Sequence, residues 1–352
     1  MTLMETIASI RPADADVAAL ARKKWDSVAK PLGSLGLLED DVTRICAIRG
    51  TLVPSVKRRC VAVFCADNGV VAEGVAQTDS SVTAIVAKNF CTHDTSVCKM
   101  AEAADADVVP VDMGMNTVVD DPRMRRHRIA AGTKNMRLGP AMTRDEAVRA
   151  LEAGIAVAHE LADGGYTLLA TGEMGIGNTT SSSAVASVLL GRPAAEMTGP
   201  GAGLSREGVL HKIAVIGDAV ALTRPDPEDP LDVLAKVGGF DIAGMAGCFL
   251  GCAERRIPCL IDGFISAVAA LIAARMCPAA VDCMLASHVS AEPAGQLLLD
   301  TLGLRPLITA GMRLGEGTGA VAAMPLLDMA IAVFTTMATF SDIQIEAYRP
   351  LA

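Results

Sequence analysis

The stretch Cys60-Val61-Ala62-Val63-Phe64-Cys65-Ala66 is a continuous apolar run, and it stops at the turn-forming residues Asp67-Asn68-Gly69. An apolar run of this length that ends at a turn is typical of a strand buried on both faces. Four further short apolar runs follow it, at residues 107–111, 166–170, 258–261 and 280–285. These runs predict a sheet at the centre of the protein.

Segments with helical spacing lie between the predicted strands. They are expected near residues 81–90, 96–104, 143–162, 180–190, 204–222, 242–253, 264–276, 294–302 and 320–334. The first 28 residues are predicted to be helical, and a second helix is expected to follow the glycine-containing break at 30–36 and to end near residue 48. Strand–helix alternation over this length predicts an α/β fold with a parallel sheet and right-handed crossovers.

Composition limits the classes of function. The chain has 352 residues, 51% of them hydrophobic and 3% aromatic, and a net charge of -9, which argues against a nucleic-acid partner. The N-terminus lacks a signal-peptide pattern, and we expect no apolar run to reach the ~18 residues of a membrane span. The ten cysteines form no C-x-x-C pair, and Cys248 and Cys252 share a helix face without a second pair for zinc. We therefore predict a soluble cytoplasmic protein with reduced thiols and no metal site.

A lone acidic residue stands between glycines in Met312-Arg313-Leu314-Gly315-Glu316-Gly317-Thr318-Gly319-Ala320. The glycines allow a flat ligand or another backbone to approach closely. In an apolar niche, the pKa of Glu316 would rise toward the range of a general base. The alternative is a glutamate in the first helical turn that complements the helix dipole.

A glycine loop follows the predicted strand 166–170, in the segment Thr171-Gly172-Glu173-Met174-Gly175-Ile176-Gly177-Asn178-Thr179-Thr180. A helix N-terminus after such a loop suits an anion, because its backbone N–H groups point outward. Asn178 stands where a P-loop has lysine, which favours a monophosphate over a nucleoside triphosphate. A tight strand–helix turn is the alternative.

Three more segments carry candidate polar groups. Lys212 follows the glycine turn 199–203 by two helical turns, and it either reaches a phosphate or extends its ammonium to solvent. Ser290 follows the predicted strand 280–285 and either donates to a phosphate or caps a helix. Asp262 ends another strand, where a carboxylate binds sugar hydroxyls or caps a helix. His288 is a lone loop histidine without a Gly-x-Ser-x-Gly elbow, which argues against a hydrolase triad.

Taken in order, these motifs closely resemble the nicotinate-nucleotide–dimethylbenzimidazole phosphoribosyltransferase family. The resemblance runs from about residue 30 to 340. It rests on residues 30–36, 66–70, 73–75, 171–180, 201–204, 237–244, 262–264, 287–293, 313–319 and 337–340.

The resemblance implies a Rossmann-like parallel sheet flanked by helices, in a large catalytic domain of residues 29–324. A small helical domain would be built from residues 1–28 and 325–352, and the chain would form a dimer. It also implies transfer of the ribose phosphate of nicotinate mononucleotide to a base, with inversion from β to α and without metal or cofactor. Glu316 would be the catalytic base and Glu173 the second active-site glutamate. The residues expected to bind the phosphate and ribose are Gly175, Gly177, Asn178, Thr179, Gly203, Lys212, Asp262 and Ser290.

The sequence departs from the family pattern in the expected acceptor pocket, to which we assign Ala76, Ile85 and Leu314. The family commonly has a serine at the first of these positions and a glutamine at the second. A less polar pocket favours an acceptor with fewer hydrogen-bonding atoms, so we hypothesise that phenol or p-cresol is used as well as, or instead of, a benzimidazole. Assembly with a non-identical, paralogous subunit is another explanation.

Two other functions stay open at this point. One is a non-catalytic ligand-binding subunit of a heteromeric phosphoribosyltransferase, against which the retained Glu316 argues. The other is a transferase that uses diphosphate-activated ribose. That class needs magnesium and an acidic pair on a loop after a strand, and we find no such pair in the sequence.

Overall fold

The computed structural model describes residues 1–348, and within them six parallel strands form one sheet. The strands are β1 Arg59–Ala66, β2 Asp107–Gly114, β3 Arg125–Arg126, β4 Leu168–Met174, β5 Cys259–Ile261 and β6 Met284–Ala286. Their order in the sheet is β3-β2-β1-β4-β5-β6, and every neighbouring pair is parallel. The predicted α/β class and parallel sheet are confirmed.

Helices cover both faces of this sheet. The helices are α1 Leu3–Ser9, α2 Ala15–Ser27, α3 Leu37–Arg49, α4 Ser81–Cys91, α5 Ser96–Ala103, α6 Arg144–Asp163, α7 Asn178–Leu190, α8 Ala194–Met197, α9 Arg206–Thr223, α10 Pro230–Val237, α11 Phe240–Glu254, α12 Phe264–Met276, α13 Gly295–Thr301 and α14 Thr318–Thr336. The capping box predicted at Thr143 begins α6, where its side chain accepts a hydrogen bond from the backbone N–H of Glu146.

Alternate residues of β1 belong to two different apolar clusters, because successive side chains of a strand point to opposite faces. Ala62 and Phe64 pack with α6, α11 and α12 on one face, and Val61 and Val63 pack with α4, α5 and α14 on the other. Burial on both faces explains why β1 reads as an uninterrupted apolar run. On the first face, a Cβ on Gly154 of α6 would lie 2.8 Å from the carbonyl carbon of Gly244 in α11, so glycine permits this close helix packing.

A third apolar cluster joins the two chain ends. The rings of Trp25 in α2 and Phe334 in α14 are in contact, with centroids 4.9 Å apart and planes tilted by 51°, and α3 packs against both helices. Beside them, the backbone N–H of Ala29 donates to the carbonyl of Ala338 at 3.0 Å. A small helical domain with boundaries at 28 and 325 stays a prediction, and residues 349–352 of it lie outside the described residues.

Several local expectations were wrong. The first 28 residues form two helices rather than one, because the chain is extended at Ile10 and contains Pro12 between α1 and α2. Residues 280–285 were expected to be a strand, but the 3-10 helix Pro278–Cys283 precedes the short strand β6. Strand β4 continues to Met174, so Glu173 lies on the strand rather than in the loop after it.

The prediction that no apolar segment is long enough to span a membrane was also wrong. Helix α14 has 19 residues and a mean hydropathy of 1.6, which meets the requirement of length and composition. Half of this segment is buried, and α14 packs against β4, α3 and α5. Core helices of soluble proteins meet the same requirement, so length and composition do not separate the two cases.

Candidate active site

A cleft of about 270 Å³ lies beyond the carboxyl ends of β4, β5 and β6. Ligands of open parallel sheets bind at this edge, because the loops that follow neighbouring strands meet there. Segments far apart in the sequence contribute to the lining, and they are 75–78, 173–179, 200–202 with 204, 262–266, 313–316, and residues 86, 288, 290 and 292. The fold therefore brings together most of the site residues that the sequence predicted.

Glu316 lies half-buried at one wall of the cleft, just before Gly317, the N-cap of α14. Its backbone is left-handed, with a φ of 61°, and its Oε2 accepts a hydrogen bond from the backbone N–H of Val97 at 3.3 Å. Burial raises the pKa of Glu316, and the Val97 hydrogen bond opposes that rise. Glu316 precedes the first helical turn, so the alternative of a first-turn glutamate does not describe it.

Glu173 is buried near the end of β4 and faces the same cleft. Its Oε2 accepts a hydrogen bond from the side-chain amide of Asn178, which also donates to Asp241 at 2.9 Å. Burial raises the pKa of Glu173 to about 8, helped by the charges of nearby carboxylates. Glu173 is therefore largely protonated at neutral pH and can donate a hydrogen bond.

Asp262 caps a helix, but the helix is α14 rather than α12, which follows Asp262 in the sequence. Its two carboxylate oxygens accept backbone hydrogen bonds from Gly317 at 3.1 Å, Gly319 at 2.7 Å and Ala320 at 3.0 Å. Burial raises the pKa of Asp262 to about 6 in spite of these donors. The carboxylate thereby fixes the start of α14 and, with it, the position of Glu316.

The predicted phosphate region is the part of the cleft around the start of α7. Gly175, Gly177, Asn178 and Thr179 line it at the start of α7. Gly203 is not part of the lining, but its carbonyl accepts a hydrogen bond from the side chain of Gln77 across the cleft.

Lys212 lies behind this region and is fully buried, so its ammonium does not extend to solvent. It donates to the hydroxyl of Thr179 at 2.8 Å. Burial lowers the pKa of Lys212 to about 8.

Ser290 and His288 line the cleft on the side of β6. The hydroxyl oxygen of Ser290 accepts the backbone N–H of Glu292 at 3.3 Å. His288 lies with its Nδ1 4.0 Å from Asp262, and burial lowers its pKa. Ser287 contacts this Nδ1 at 3.2 Å but is fully buried, and it donates to the carbonyl of Ile261 at 2.6 Å. Ser287 and His288 therefore do not form an exposed nucleophile pair.

Apolar residues line the expected acceptor end. Ala76 and Leu314 belong to the lining, together with Val75 and Val86. Ile85 does not: it is 58% exposed, and its neighbour Val86 takes the position in the cleft. Successive residues of a helix point about 100° apart, so an assignment shifted by one residue changes the face.

Several polar cleft residues were not selected from the sequence as site residues. They include Gln77, Thr78, Glu292 and Arg313. Arg313 stands three residues before Glu316, and Glu292 stands two residues after Ser290. Their proximity in the sequence to a selected residue could therefore have indicated that they belong to the site. For Gln77 and Thr78, the signal was their position directly after Ala76.

Three cysteines that are separate in the sequence meet in the core. The sulfur atoms of Cys248, Cys252 and Cys259 all lie within 4.8 Å of one another and are buried. The sequence placed Cys248 and Cys252 on one helix face, and the fold adds Cys259. Burial raises the pKa of Cys259 well above its ordinary value. A structural zinc site takes four ligands, and this cluster offers three. That the protein has no metal site stays a prediction.

Comparison with known proteins identifies the class of enzyme to which the chain belongs. A family model described as phosphoribosyltransferase matches residues 10–345. Proteins named nicotinate-nucleotide–dimethylbenzimidazole phosphoribosyltransferase, from Ruminiclostridium cellulolyticum and Clostridium acetobutylicum, are each 48% identical over 351 residues, with 100% of both chains covered. The crystal structure of CobT from Thermus thermophilus matches with a TM-score of 0.90 at 40% identity, covering 95% of this chain and 100% of that one. The chain is thus a phosphoribosyltransferase, an enzyme that transfers a pentosyl group.

The family follows from the extent of these matches. The chain belongs to the nicotinate-nucleotide–dimethylbenzimidazole phosphoribosyltransferase family, because relatives of that name match it over its whole length. The resemblance found in the sequence is confirmed, as is the Rossmann-like fold that it implied.

Proposed function

We propose that the chain transfers the ribose 5-phosphate of nicotinate mononucleotide to 5,6-dimethylbenzimidazole, giving an α-ribotide and nicotinate. One observation carries the proposal: two glutamates with raised pKa values, Glu316 and Glu173, face one cleft that is also lined by a glycine loop at a helix start. Carboxylates with raised pKa values suit proton transfer, and the helix start suits a phosphate.

The chemistry requires one bond to form and one to break. A ring nitrogen of the acceptor attacks the anomeric carbon from the face opposite nicotinate, and the bond from that carbon to the nicotinate nitrogen breaks. The electron pair of that bond neutralises the positive ring nitrogen, so nicotinate is already an activated leaving group. The attacking base becomes cationic and loses its other N–H proton to Glu316. The protein mainly supplies orientation, exclusion of water and this base.

The two ends of the cleft suit the two substrates. At the phosphate end, the proposed contacts are the backbone N–H groups of the loop before α7 and the hydroxyls of Thr179 and Ser290. In the proposed complex, Glu173 lies near the ribose, where its protonated carboxyl donates a hydrogen bond. Asp262 contributes indirectly, because its carboxylate oxygens already hold the start of α14.

A phenolic acceptor is the second candidate, and the apolar acceptor end favours it. Val75, Ala76, Val86 and Leu314 offer no hydrogen-bonding side chain there. A phenol needs the same proton transfer to Glu316, but it presents one polar atom instead of two. In an incubation with equal dimethylbenzimidazole and p-cresol, exclusive benzimidazole product would eliminate this candidate.

The reaction is tested with the purified chain, nicotinate mononucleotide and dimethylbenzimidazole, with mass spectrometry of the products. We expect α-ribotide and free nicotinate, formed equally well in excess EDTA, since the proposal involves no metal. A chain that binds the nucleotide but yields no product would support the non-catalytic-subunit alternative. Activity that requires magnesium and diphosphate-activated ribose would support a different transferase.

Assembly and location belong to the same proposal. We infer a dimer, either of identical chains or with a paralogous subunit. Light scattering of the chain purified by itself should give the mass of a dimer in the first case and of a monomer in the second. A reducing compartment, the cytoplasm, is consistent with ten buried free cysteines.

A further inference from the structure

Two buried charged residues near the phosphate end of the cleft, Lys212 and Glu292, have no part in the bond-making chemistry. Lys212 of α9 is fully buried, and its ammonium donates to Thr179 at 2.8 Å and to the carbonyl of Gly199 at 3.5 Å. Thr179 is the second residue of α7, and Gly199 begins the glycine turn before α9. One ammonium group therefore joins two of the segments that line the cleft.

Glu292 is the acidic residue whose charge acts on this ammonium. It is 8% exposed, and among residues 1–348 no hydrogen-bond partner reaches its Oε2. A Cβ on Gly199 would lie 2.9 Å from its carboxyl carbon, so Glu292 packs against the same glycine whose carbonyl Lys212 contacts. Burial lowers the pKa of Lys212, and the charge of Glu292 opposes that effect. Arg313, at the cleft mouth, is the other charged residue that faces Glu292.

We propose that Glu292 is a positioning residue for the phosphoribosyl donor: its carboxylate keeps the buried Lys212 ammonium charged, and Lys212 in turn orients Thr179 and the 199–203 turn. This inference rests on the proposed function for the identity of the donor.

The protonation state of Lys212 decides which way the Thr179 hydroxyl points. While Lys212 is charged it can only donate, so Thr179 accepts from it and directs its own O–H elsewhere, toward a phosphate oxygen in the cleft. A neutral lysine offers a lone pair, which would attract the Thr179 proton away from the cleft. Loss of one proton therefore removes both a positive charge and a donor from the phosphate end.

The test replaces Glu292 with glutamine and follows the Lys212 pKa directly, by NMR of protein labelled at the lysine Cε, with the signal assigned from Lys212→Arg. We expect the Lys212 pKa to fall by about one unit in Glu292→Gln, since a favourable charge is lost. Glu207→Gln is the matched control, because Glu207 is an exposed acid on α9, the helix that also carries Lys212. It should leave the Lys212 pKa unchanged.

Binding of nicotinate mononucleotide without acceptor, measured by calorimetry, gives the functional readout. If only the charged Lys212 supports binding, a one-unit fall makes Glu292→Gln about fivefold weaker than wild type at pH 8 but within about twofold at pH 6. In a Lys212→Arg background, where the charge cannot titrate, Glu292→Gln should add no pH-dependent loss.

Two results would overturn the inference: an unchanged Lys212 pKa in Glu292→Gln, or a binding loss of the same size at pH 6 and pH 8. The second would indicate that Glu292 only supports packing. The NMR titration needs neither substrate nor turnover, so its failure would leave the proposed reaction intact, whereas an inactive wild-type enzyme would refute the reaction alone.

Discussion

Gly172→Ala should displace the proposed catalytic base without touching its side chain. Gly172 lies in β4, where it pairs with Val63 of β1, and it passes close to the backbone before α14. A Cβ there would lie 2.7 Å from the carbonyl carbon of Glu316 and 2.9 Å from the nitrogen of Gly317, and closer still to the Glu316 oxygen. These are backbone atoms, so no side chain can rotate away.

The size of the effect follows from this geometry. Ordinary contacts begin at 3.4 Å, so the backbone at Glu316 must move by about 0.7 Å or more. A misplacement of about 1 Å in a catalytic group costs about 10²-fold in rate. Overpacking also destabilises the fold by about 1–3 kcal/mol. We therefore expect kcat to fall by one to two orders of magnitude in protein that is still folded at 25 °C.

Two matched variants separate displacement from instability. Gly244→Ala places a Cβ 2.7 Å from Phe64 and 2.9 Å from Met113 in the core, away from the cleft, so stability should fall while kcat changes little. Gly217→Ala, within α9, meets no atom within 4 Å and should stabilise the protein by up to about 1 kcal/mol. Initial rates and thermal unfolding are measured for all three. A Gly172→Ala enzyme with kcat within twofold of wild type would refute the reasoning.

Three further predictions concern single carboxyl groups. Glu316→Gln should lower kcat by about 10²–10⁴-fold with little change in nucleotide affinity, measured by initial rates and calorimetry, and unchanged turnover would exclude Glu316 as the base. Glu173 should make the fold more stable at low pH, because its pKa rises from 4.5 to about 8 on folding and the folded state binds the extra proton. This contribution is at most about 5 kcal/mol. The free energy of unfolding of the wild type, measured in urea, should therefore decline between pH 5 and pH 7.5, and it should depend less on pH in Glu173→Gln. Asp262→Asn should cost about 1–3 kcal/mol in the same assay, because an amide oxygen is a weaker acceptor for the backbone N–H groups of α14, and an unchanged midpoint would contradict this capping role.

Local patterns predicted the parts of the fold that depend on local structure. Strand β1 could be read from its apolar run because both of its faces are buried. The cleft could be expected because Glu173 and Ser290 each follow or end a parallel strand, and the carboxyl ends of such strands share one edge. The lining segments that begin in or just after β4, β5 and β6 follow from this rule, whereas those near 75–78, 200–204 and 313–316 do not.

Contacts between distant segments could not be read in this way. The partners of Asp262 lie 55 to 58 residues further along the chain, and nothing near Asp262 in the sequence indicates α14 rather than α12. Lys212 and Cys259 are further examples, since burial and partners at both positions depend on how helices pack on the sheet. Ile85 was misplaced for a different reason, because a helix changes its exposed face with every residue.

The remaining physical question is how a cleft so rich in carboxyl groups can bind an anionic nucleotide. Glu173 carries little charge at neutral pH because burial raises its pKa to about 8. The carboxylate of Asp262 is matched by three backbone N–H groups at the start of α14, so its charge is directed into the protein. In the proposed complex, Lys212 supplies positive charge at the phosphate end through its hydrogen bond to Thr179. Glu292 also lines the cleft, and its charge acts on Lys212. In the proposed complex Glu316 becomes ionised beside the acceptor, where its negative charge stabilises the cationic base that forms as nicotinate leaves.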